Sequence, residues 1–359
     1  MEIRRTRTKA IRIKNLAIGG GAPVVVQSMA NTDTRDIRAT VGQIKRLARA
    51  GCELVRVAVP DDAAARAIAK IKPEIALPLV ADIHFNYRLA LASVKSGADK
   101  LRINPGTIGE RWKLEEVIKA CRDKGLPIRI GINTGSLEKT VLREFGRPTP
   151  AAVVRSLERS IDVFDTMGFR DIVISAKASD VKTTIDVYRL ISGRFDYPLH
   201  LGLTEAGLPR AGSVRSSVTL GLLLAEGIGD TIRVSLTGDP VLEVVVGFEI
   251  LKSLGLREHG PTLISCPTCG RCEIDLVELA ERADKRLQKV KKPIRVAIMG
   301  CAVNGPGEAR EADFGIAAGR GTGLLFKKGT IIKKVKANRL LDELFSLIEK
   351  ETDGEDCNR

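Results

Sequence analysis

The stretch Pro127-Ile-Arg-Ile-Gly-Ile-Asn133 is one of eight short runs, rich in β-branched and apolar residues, in the first part of the chain. Runs of this kind, bounded by turn residues, are typical of strands that are buried on both faces. Segments with helical periodicity lie between them. The eight runs are Pro23–Ser28, Glu53–Val59, Pro78–Ile83, Lys100–Asn104, Pro127–Asn133, Asp171–Ala176, Pro198–Thr204 and Thr231–Leu236.

Buried strands that alternate with helices indicate a parallel sheet covered on both faces. Eight such units before about residue 255 match the length and strand count of a (β/α)₈ TIM barrel. The structural alternative is an open doubly wound sheet, but no Gly-x-Gly-x-x-Gly motif follows the first run. We therefore predict an α/β chain that begins with a TIM barrel.

A second, smaller domain is predicted after the barrel, because the chain of 359 residues is too long for one average domain. We place the barrel at residues 1–258 and an α+β domain at residues 259–359, with a polar and frayed tail from Glu351. The elements predicted in the small domain are a helix at Ile274–Lys289, a strand at Pro293–Met299, a strand pair at Phe314–Leu325 and Gly329–Lys336, and a helix at Asn338–Ile348.

The net charge of +14 and the pI near 9.6 admit three kinds of partner: nucleic acid, a phosphorylated small molecule or an acidic protein. Aromatic residues make up only 4% of the chain, which argues against stacking platforms for single-stranded nucleic acid. No run of eighteen apolar residues predicts a membrane span, and the N-terminus does not read as a secretory signal. We expect a cytoplasmic protein with reduced thiols.

Cationic side chains interrupt several of the predicted strands. A guanidinium group between β-branched residues cannot face the covering helices without a large desolvation cost, so it should point into the barrel. Arginine forks match phosphate oxygens, and barrels bind phosphates at the mouth formed by the carboxyl ends of the strands. The alternative is that the arginines pair with inward carboxylates such as Glu53, Asp82 and Glu205. The cations are Arg56, Arg102, Arg129, Arg233 and Lys177, which follows the sixth strand.

Polar residues at the ends of the predicted strands form a second candidate set. Such positions carry catalytic groups in TIM barrels, and Glu205 is the carboxyl best placed for general acid chemistry. The alternative for each single residue is that it caps the following helix. The set comprises Asp82, His84, Asn104, Asn133, Glu205 and Ser235.

Four of the seven cysteines fall in one segment of the small domain, Cys266-Pro-Thr-Cys269-Gly-Arg-Cys272 followed by Met299-Gly-Cys301. Cys-x-x-Cys spacing allows two thiolates to reach one metal centre, and a distant ligand completes the site. Spacing alone leaves structural zinc and a redox-active iron–sulfur cluster open, and it selects Cys272 as the fourth ligand.

Several motifs resemble the bacterial-type 4-hydroxy-3-methylbut-2-enyl diphosphate synthases, iron–sulfur enzymes of the non-mevalonate isoprenoid route. The resemblance covers almost the whole chain in the same order. The motifs are Val24-Val-Val-Gln27-Ser-Met29, Ala81-Asp82-Ile-His84-Phe85, His200-Leu-Gly-Leu-Thr-Glu205-Ala-Gly207, Ser265-Cys266-Pro-Thr-Cys269-Gly-Arg271 and Met299-Gly-Cys301-Ala-Val-Asn-Gly-Pro-Gly-Glu308.

The resemblance implies a 4Fe–4S cluster held by Cys266, Cys269, Cys301 and Glu308, and so replaces Cys272 by a carboxylate that can leave and free one iron for substrate oxygen. It also implies a homodimer in which the cluster domain of one subunit caps the barrel of the other.

The substrate implied by the resemblance is 2-C-methyl-D-erythritol 2,4-cyclodiphosphate. It is reductively opened and dehydrated to the linear hydroxymethylbutenyl diphosphate, with electrons from flavodoxin or ferredoxin. Glu205 would handle a proton near the reacting carbons. The diphosphate would meet Arg56, Arg102, Arg129, Lys177 and Arg233, with polar contacts from Asn133 and Ser235.

Two rival functions belong to other classes. One is a zinc-stapled basic barrel that binds RNA, which requires tight and salt-sensitive RNA binding. The other is a non-redox barrel transferase of the pterin-synthase kind, which would keep its activity without the residues after Gly260. With the synthase prediction we expect no nucleic-acid and no membrane partner.

Overall fold

The structure is a computed structural model that describes residues 3–272, 274–301, 307 and 309–353. The chain divides into two compact units, Met1–Arg257 and Glu258–Arg359, one residue before the predicted boundary. Among the described residues, no helix is both long enough and apolar enough to cross a bilayer.

The first unit begins with a short antiparallel hairpin of β1 (Ile11–Ile13) and β2 (Leu16–Ile18). This hairpin was not predicted, because strands of three residues are too short to show a periodicity. Ile13 and Ile18 pack against the barrel residues Val25, Leu54 and Val80, close to the starts of their strands. The hairpin therefore covers the amino-terminal end of the barrel.

Eight parallel strands follow the hairpin and form the barrel. The strands from β3 to β8 pair in chain order, β9 pairs with β10, and β10 pairs with β3. A parallel bridge between Ile174 and Leu199 joins β8 to the segment that leads into β9, so the barrel closes. The predicted TIM barrel is confirmed. The strands are β3 (Val25–Met29), β4 (Leu54–Ala58), β5 (Leu79–Asp82), β6 (Lys100–Ile103), β7 (Ile128–Asn133), β8 (Ile172–Lys177), β9 (His200–Leu201) and β10 (Thr231–Ile232).

The last two barrel strands are shorter than predicted, with two paired residues each. Leu203 and Val234, which lie beyond these ladders, are each 1% exposed. An apolar sequence pattern indicates that residues are buried, but not that they pair with a neighbouring strand. The pattern therefore extends beyond the residues that form the strand. Lys177, predicted to follow its strand, is instead the last residue of β8.

Helices cover the outside of the barrel, and most of them begin at a capping side chain. Asp36, Asp61 and Asp180, for example, each accept a hydrogen bond from a backbone N–H of the first helical turn. The helices of this unit are α1 (Ile37–Arg49), α2 (Asp62–Ile71), α3 (Tyr87–Lys95), α4 (Pro105–Ile108), α5 (Arg111–Lys124), α6 (Lys139–Phe145), α7 (Pro150–Thr166), α8 (Val181–Ser192), α9 (Pro209–Ala225) and α10 (Pro240–Ser253).

The second unit is a five-stranded mixed sheet with two helices on one face, as its α+β prediction requires. Its first strand, Thr262–Ser265, was not predicted, and the predicted strand Phe314–Leu325 covers two strands of the structure. The last helix continues beyond the predicted end into the predicted tail, where Glu351 pairs with Lys327 at 2.5 Å. The elements are β11 (Thr262–Ser265), α11 (Leu276–Leu287), β12 (Arg295–Met299), β13 (Phe314–Ala318), β14 (Thr322–Lys327), β15 (Thr330–Lys336) and α12 (Leu340–Asp353).

Candidate active site

A polar cavity of about 240 Å³ lies at the carboxyl ends of the barrel strands. The eight barrel residues that the resemblance implied as substrate-binding or catalytic all lie in its wall. Serine and threonine hydroxyl groups complete the lining. The lining residues are Arg56, Arg102, Arg129, Asn133, Ser175, Lys177, Thr204, Glu205, Arg233 and Ser235.

The arginines reach the cavity because successive residues of a strand point to opposite faces. Arg129 lies between Ile128 and Ile130, which both belong to the apolar core between the barrel and its helices. The same alternation holds for Arg102, between Leu101 and Ile103. Each apolar pair anchors its strand to the helix layer, so the residue between them faces the barrel interior.

Two inward glycines make room for these cations. A methyl group on Gly131 would lie 2.5 Å from Nε of Arg102. A methyl group on Gly202 would lie 2.5 Å from Nζ of Lys177 and 2.7 Å from the carbonyl oxygen of Arg233. Contacts as short as these force the neighbouring atoms to move, and a backbone oxygen cannot rotate away as a side chain can.

Gly202→Ala is expected to weaken the binding of a diphosphate, measured with inorganic pyrophosphate by calorimetry. The added methyl displaces both Lys177 and the Arg233 backbone, so we expect a loss on the order of tenfold, the value of one charged hydrogen bond. Gly221→Ala on α9 is the control, since nothing lies within 4 Å of its added methyl. Unchanged affinity in Gly202→Ala would contradict this account.

Two buried carboxylates hold part of the cationic set in place. Asp82 accepts a hydrogen bond from Nη1 of Arg102 at 3.3 Å and lies 3.7 Å from Nε of Arg56. Glu243 on α10 accepts two hydrogen bonds from Arg233, each at 3.2 Å. Burial disfavours the charged form of Asp82, but Arg56, His84 and Arg102 outweigh it and lower the pKa of this carboxyl.

The alternative prediction, that the arginines pair with inward carboxylates, is therefore correct only in part. Asp82 neutralises part of the cationic set, whereas Glu53 bonds Arg257 and the backbone N–H of Val26 instead. Five basic side chains of the cavity are accompanied by three carboxyl groups, those of Asp82, Glu243 and Glu205, so basic side chains outnumber carboxyl groups by two.

Arg129 and Lys177 are the two basic side chains of the cavity for which no ion pair with a carboxylate is found among the described residues. Burial, followed by the charges of Arg56 and Arg102, lowers the pKa of Arg129 well below its ordinary value. Burial and the surrounding arginines likewise lower the pKa of Lys177. Among the described residues, Nε and Nη1 of Arg129 have no hydrogen-bond partner. Buried donors without partners and mutually repelling cations both favour a bound anion.

A further polar layer lies deeper in the barrel. Lys100 is two residues before Arg102 on the same strand, is 1% exposed, and has no partner for Nζ within the described part of the chain. His200 is fully buried, with Nδ1 2.6 Å from Oγ1 of Thr231. Burial, followed by the charge of Arg129, lowers the pKa of both groups. Lys100 and His200 are thus buried basic side chains of the barrel interior, outside the residues that line the cavity.

The remaining strand-end residues differ in what they do. Nε2 of His84 lies 2.8 Å from Nη1 of Arg102, at the edge of the cationic set. Asn104 accepts a hydrogen bond from the N–H of Gly106 at 3.1 Å, so for this residue the capping alternative is correct. Glu205 has a φ of 54°, in the left-handed region, which is costly for a residue other than glycine and is often found at functional sites.

Three residues of the site were not predicted from the sequence, namely Ser175, Thr204 and Glu243. Ser175 precedes Lys177 by two residues on β8 and therefore shares its inward face, a signal that the alternation already contained. Thr204 directly precedes Glu205. Glu243 gave no such signal, because it reaches Arg233 from a helix that the strand pattern does not describe.

In the second unit, Cys266 directly follows β11 and Cys301 follows β12. The two strands are parallel neighbours, with Ser265 paired to Ile298, so both cysteines lie at the same edge of the sheet. Cys269 is exposed, and Cys272 is partly buried. Glu308 lies outside the described residues. Within the described part of the chain, no three potential ligand groups surround one metal position.

The local chemistry fits a thiolate-bound cluster. The backbone N–H of Gly300 donates a hydrogen bond to Sγ of Cys266 at 3.3 Å, the kind of contact that tunes cluster sulfur. A methyl group on Gly300 would lie 2.7 Å from Sγ of Cys272, so only glycine allows this approach. Sγ of Cys272 is itself engaged with the carbonyl oxygen of Ile274 at 3.3 Å.

Comparison with known proteins covers both units. The family profile described as GcpE TIM-barrel domain matches residues 8–248, and the one described as GcpE protein C-terminal domain matches residues 262–350. Among solved structures, a dihydropteroate synthase from Xanthomonas albilineans aligns with 68% of this chain and 98% of its own, at 19% identity and a TM-score of 0.48. A similarity that low carries no argument about function.

Three relatives named 4-hydroxy-3-methylbut-2-en-1-yl diphosphate synthase (flavodoxin) match over nearly their full length. The protein of Thermodesulfovibrio yellowstonii is 55% identical, over 97% of this chain and 100% of its own. The Geobacter sulfurreducens protein is 56% identical, over 96% and 98%, and the Bacillus subtilis protein 55%, over 95% and 90%. The family predicted from the motifs is confirmed: the chain belongs to the GcpE family.

Proposed function

We propose that this chain is a flavodoxin-dependent 4-hydroxy-3-methylbut-2-en-1-yl diphosphate synthase that opens 2-C-methyl-D-erythritol 2,4-cyclodiphosphate. The name of its relatives gives the enzyme class, the product and the donor. It agrees with the activity predicted from the sequence and does not favour the RNA-binding or transferase alternatives. The homodimer predicted from the resemblance stays a prediction.

The observation that carries the proposal is a cavity whose basic side chains outnumber its carboxyl groups by two. A cyclic diphosphate bears one strongly acidic oxygen on each phosphorus, so it offers one anionic group to each of the two excess basic side chains. Arg129 and Lys177 gain an anionic partner, and the pKa of Lys177 rises again on binding. Arg56, Arg102 and Arg233, fixed by Asp82 and Glu243, orient the phosphate oxygens through guanidinium forks. Asn133 and Ser235 add neutral contacts.

The overall reaction defines what the remaining residues must do. Two electrons and one proton convert the cyclic dianion into the linear trianion and water, while a ring C–O bond and a C–OH bond break. The departing hydroxyl needs a proton, and Glu205 at the cavity wall donates it as a general acid.

Cys266, Cys269, Cys301 and Glu308 would hold the 4Fe–4S cluster in the second unit. When bound, such a cluster supplies electrons one at a time at a low potential. The hydrogen bond from Gly300 to Cys266 and the free thiol of Cys269 support this assignment.

The test is an anaerobic assay of the full-length protein after iron and sulfide loading. We expect conversion of the cyclodiphosphate to the linear diphosphate with reduced flavodoxin, together with stoichiometric iron and acid-labile sulfide. A colourless protein that holds zinc and converts no substrate would overturn the proposal.

Glu308→Ala and Cys272→Ala separate the two candidates for the fourth ligand. We expect Glu308→Ala to lose iron or to change the visible spectrum. Cys272→Ala should load normally, because its thiol already bonds the carbonyl oxygen of Ile274. Iron content and absorption spectra of both proteins, prepared in parallel, give the answer, and the opposite pair of results would assign Cys272 as the ligand.

A further inference from the structure

The exposed end of β15 carries two lysines near the edge of the sheet where the cysteine motifs lie. Strand pairing defines the position, because Met299 is opposite Ala317, Ala317 opposite Leu324, and Leu324 opposite Lys334. Lys334 is therefore level with Met299, across the sheet. β12 and β15 run in the same direction, because β13 is parallel to β12, β14 is antiparallel to β13, and β15 is antiparallel to β14.

Cys301 lies two residues beyond Met299, past the end of β12, and Lys336 lies two residues beyond Lys334, at the end of β15. Side chains two residues apart share a face, so Lys334 and Lys336 point to the same side of the sheet. The intervening Val335 is buried under the two helices on the opposite face. With neighbouring strands 4.7–4.9 Å apart, three strand spacings put the lysines on the order of 15 Å from β12.

The face that these lysines share is the one without the helices α11 and α12. Its apolar cluster includes Met299, Ala317 and Phe326, with Leu324 and Cys266 packed against it. Met299, Ala317 and Phe326 are buried, whereas Leu324, which is paired with Lys334, is half-buried. Arg320, exposed in the turn between β13 and β14, adds a third cation at this edge.

The lysines of the hairpin formed by β14 and β15 differ in whether a carboxylate pairs with them. Lys327 pairs with Glu351, and Lys333 pairs with Glu343 at 3.0 Å on the helix face. Within the residues that the structure describes, neither Lys334 nor Lys336 forms an ion pair. Lysines on an edge strand also discourage pairing with another sheet. That role does not require the lysines to lie at the end of the strand near the cysteine motifs.

We propose that Arg320, Leu324, Lys334 and Lys336 form the docking surface for the acidic electron-donor protein. This inference rests on the proposed function, because only a redox enzyme needs such a partner. Charged side chains at the rim of a transient interface steer its formation when the partner carries the opposite charge, and the half-buried Leu324 supplies an apolar contact beside them. Surface cations at the cysteine edge would bring a flavodoxin-type donor to the side from which electrons must enter.

The test compares two donors and two charge-matched variants of the full-length, iron-loaded protein. The docking variant is Lys334→Glu with Lys336→Glu. The control is Lys289→Glu with Lys291→Glu, which makes the same charge change in the same unit, near the start of β12 instead of its end. Each protein is assayed with reduced flavodoxin and with reduced methyl viologen, a small donor that needs no protein interface.

For the docking variant, we expect the KM for flavodoxin to rise about tenfold at low salt, because rim charges act mainly on association. The viologen-driven rate should equal that of the wild type. The control variant should keep its KM, and the difference should shrink at about 0.5 M salt, where surface charges are screened.

Equal KM values in the two variants, or a docking variant with the wild-type KM, would overturn the proposal. If the charge reversal also lowers the viologen-driven rate, Lys334→Gln with Lys336→Gln repeats the comparison with neutral side chains. A wild-type protein that neither donor can drive would instead refute the proposed function, and this inference with it.

Discussion

Cys301→Ala is expected to abolish iron loading and all turnover of the cyclodiphosphate. Cys301 and Cys266 follow parallel neighbouring strands, so the loss of one thiolate opens the site at the sheet edge. Structural and redox clusters depend on their full set of thiolates, and a methyl group offers no lone pair to iron. The measurements are iron and sulfide content, the visible spectrum, and activity with reduced methyl viologen.

Cys121→Ala is the matched control for this experiment. Cys121 is buried in the barrel, and burial raises its pKa to about 12, so its thiol stays protonated and cannot serve as a ligand. The control protein should load iron like the wild type, with stability lower by roughly 1 kcal/mol from the lost packing. Normal iron content in Cys301→Ala would exclude this residue from the ligand set.

The barrel and its cationic interior could be predicted because both follow from the two-residue repeat of strands. Arg102 and Arg129 lie between apolar residues that must face the helices, which leaves the interior as the only place for a guanidinium group. Strand pairing, which sets Arg102 opposite Arg129, then brings the two to the same level of the barrel. The sequence therefore predicts which side chains face the barrel interior, but it does not predict the distances between them.

Interactions between distant elements could not be predicted in this way. Glu243 is on a helix and Arg233 on the loop after β10, and nothing in either segment indicates that they bond. Gly131 and Gly202 appear in the sequence as ordinary strand glycines, and their role shows only from the cations that occupy the space beside them. The choice of Glu308 over Cys272 rests on the resemblance, because spacing favoured the cysteine.

Lys177→Gln is expected to weaken binding of the cyclodiphosphate by roughly 10²-fold, since truncating one partner of a buried charge pair costs about 2–5 kcal/mol. Lys177 is 8% exposed at the end of β8, and its Nζ lies close to Gly202 within the ring of arginines. Calorimetric titration of both proteins measures the difference. Equal affinities would mean that the diphosphate does not contact this end of the cavity.

The pH dependence of binding provides a second measurement on the same variant. In the ligand-free protein, burial and the neighbouring arginines lower the pKa of Lys177, so above that pKa the amine is neutral. The diphosphate favours the charged form and raises the pKa, and binding therefore takes up a proton. Wild-type affinity should accordingly fall as the pH rises from the lower pKa to the higher one.

Titrations in two buffers of different ionisation enthalpy count the protons taken up. We expect most of the uptake to disappear in Lys177→Gln, while Lys100→Gln tests the deeper amine, whose pKa is lowered by burial and by Arg129. Uptake that survives the first variant but not the second would assign the proton to Lys100. Wild-type binding without any proton uptake would show that Lys177 is already charged before the diphosphate arrives, in which case the repulsion among the cavity cations is balanced by the protein itself.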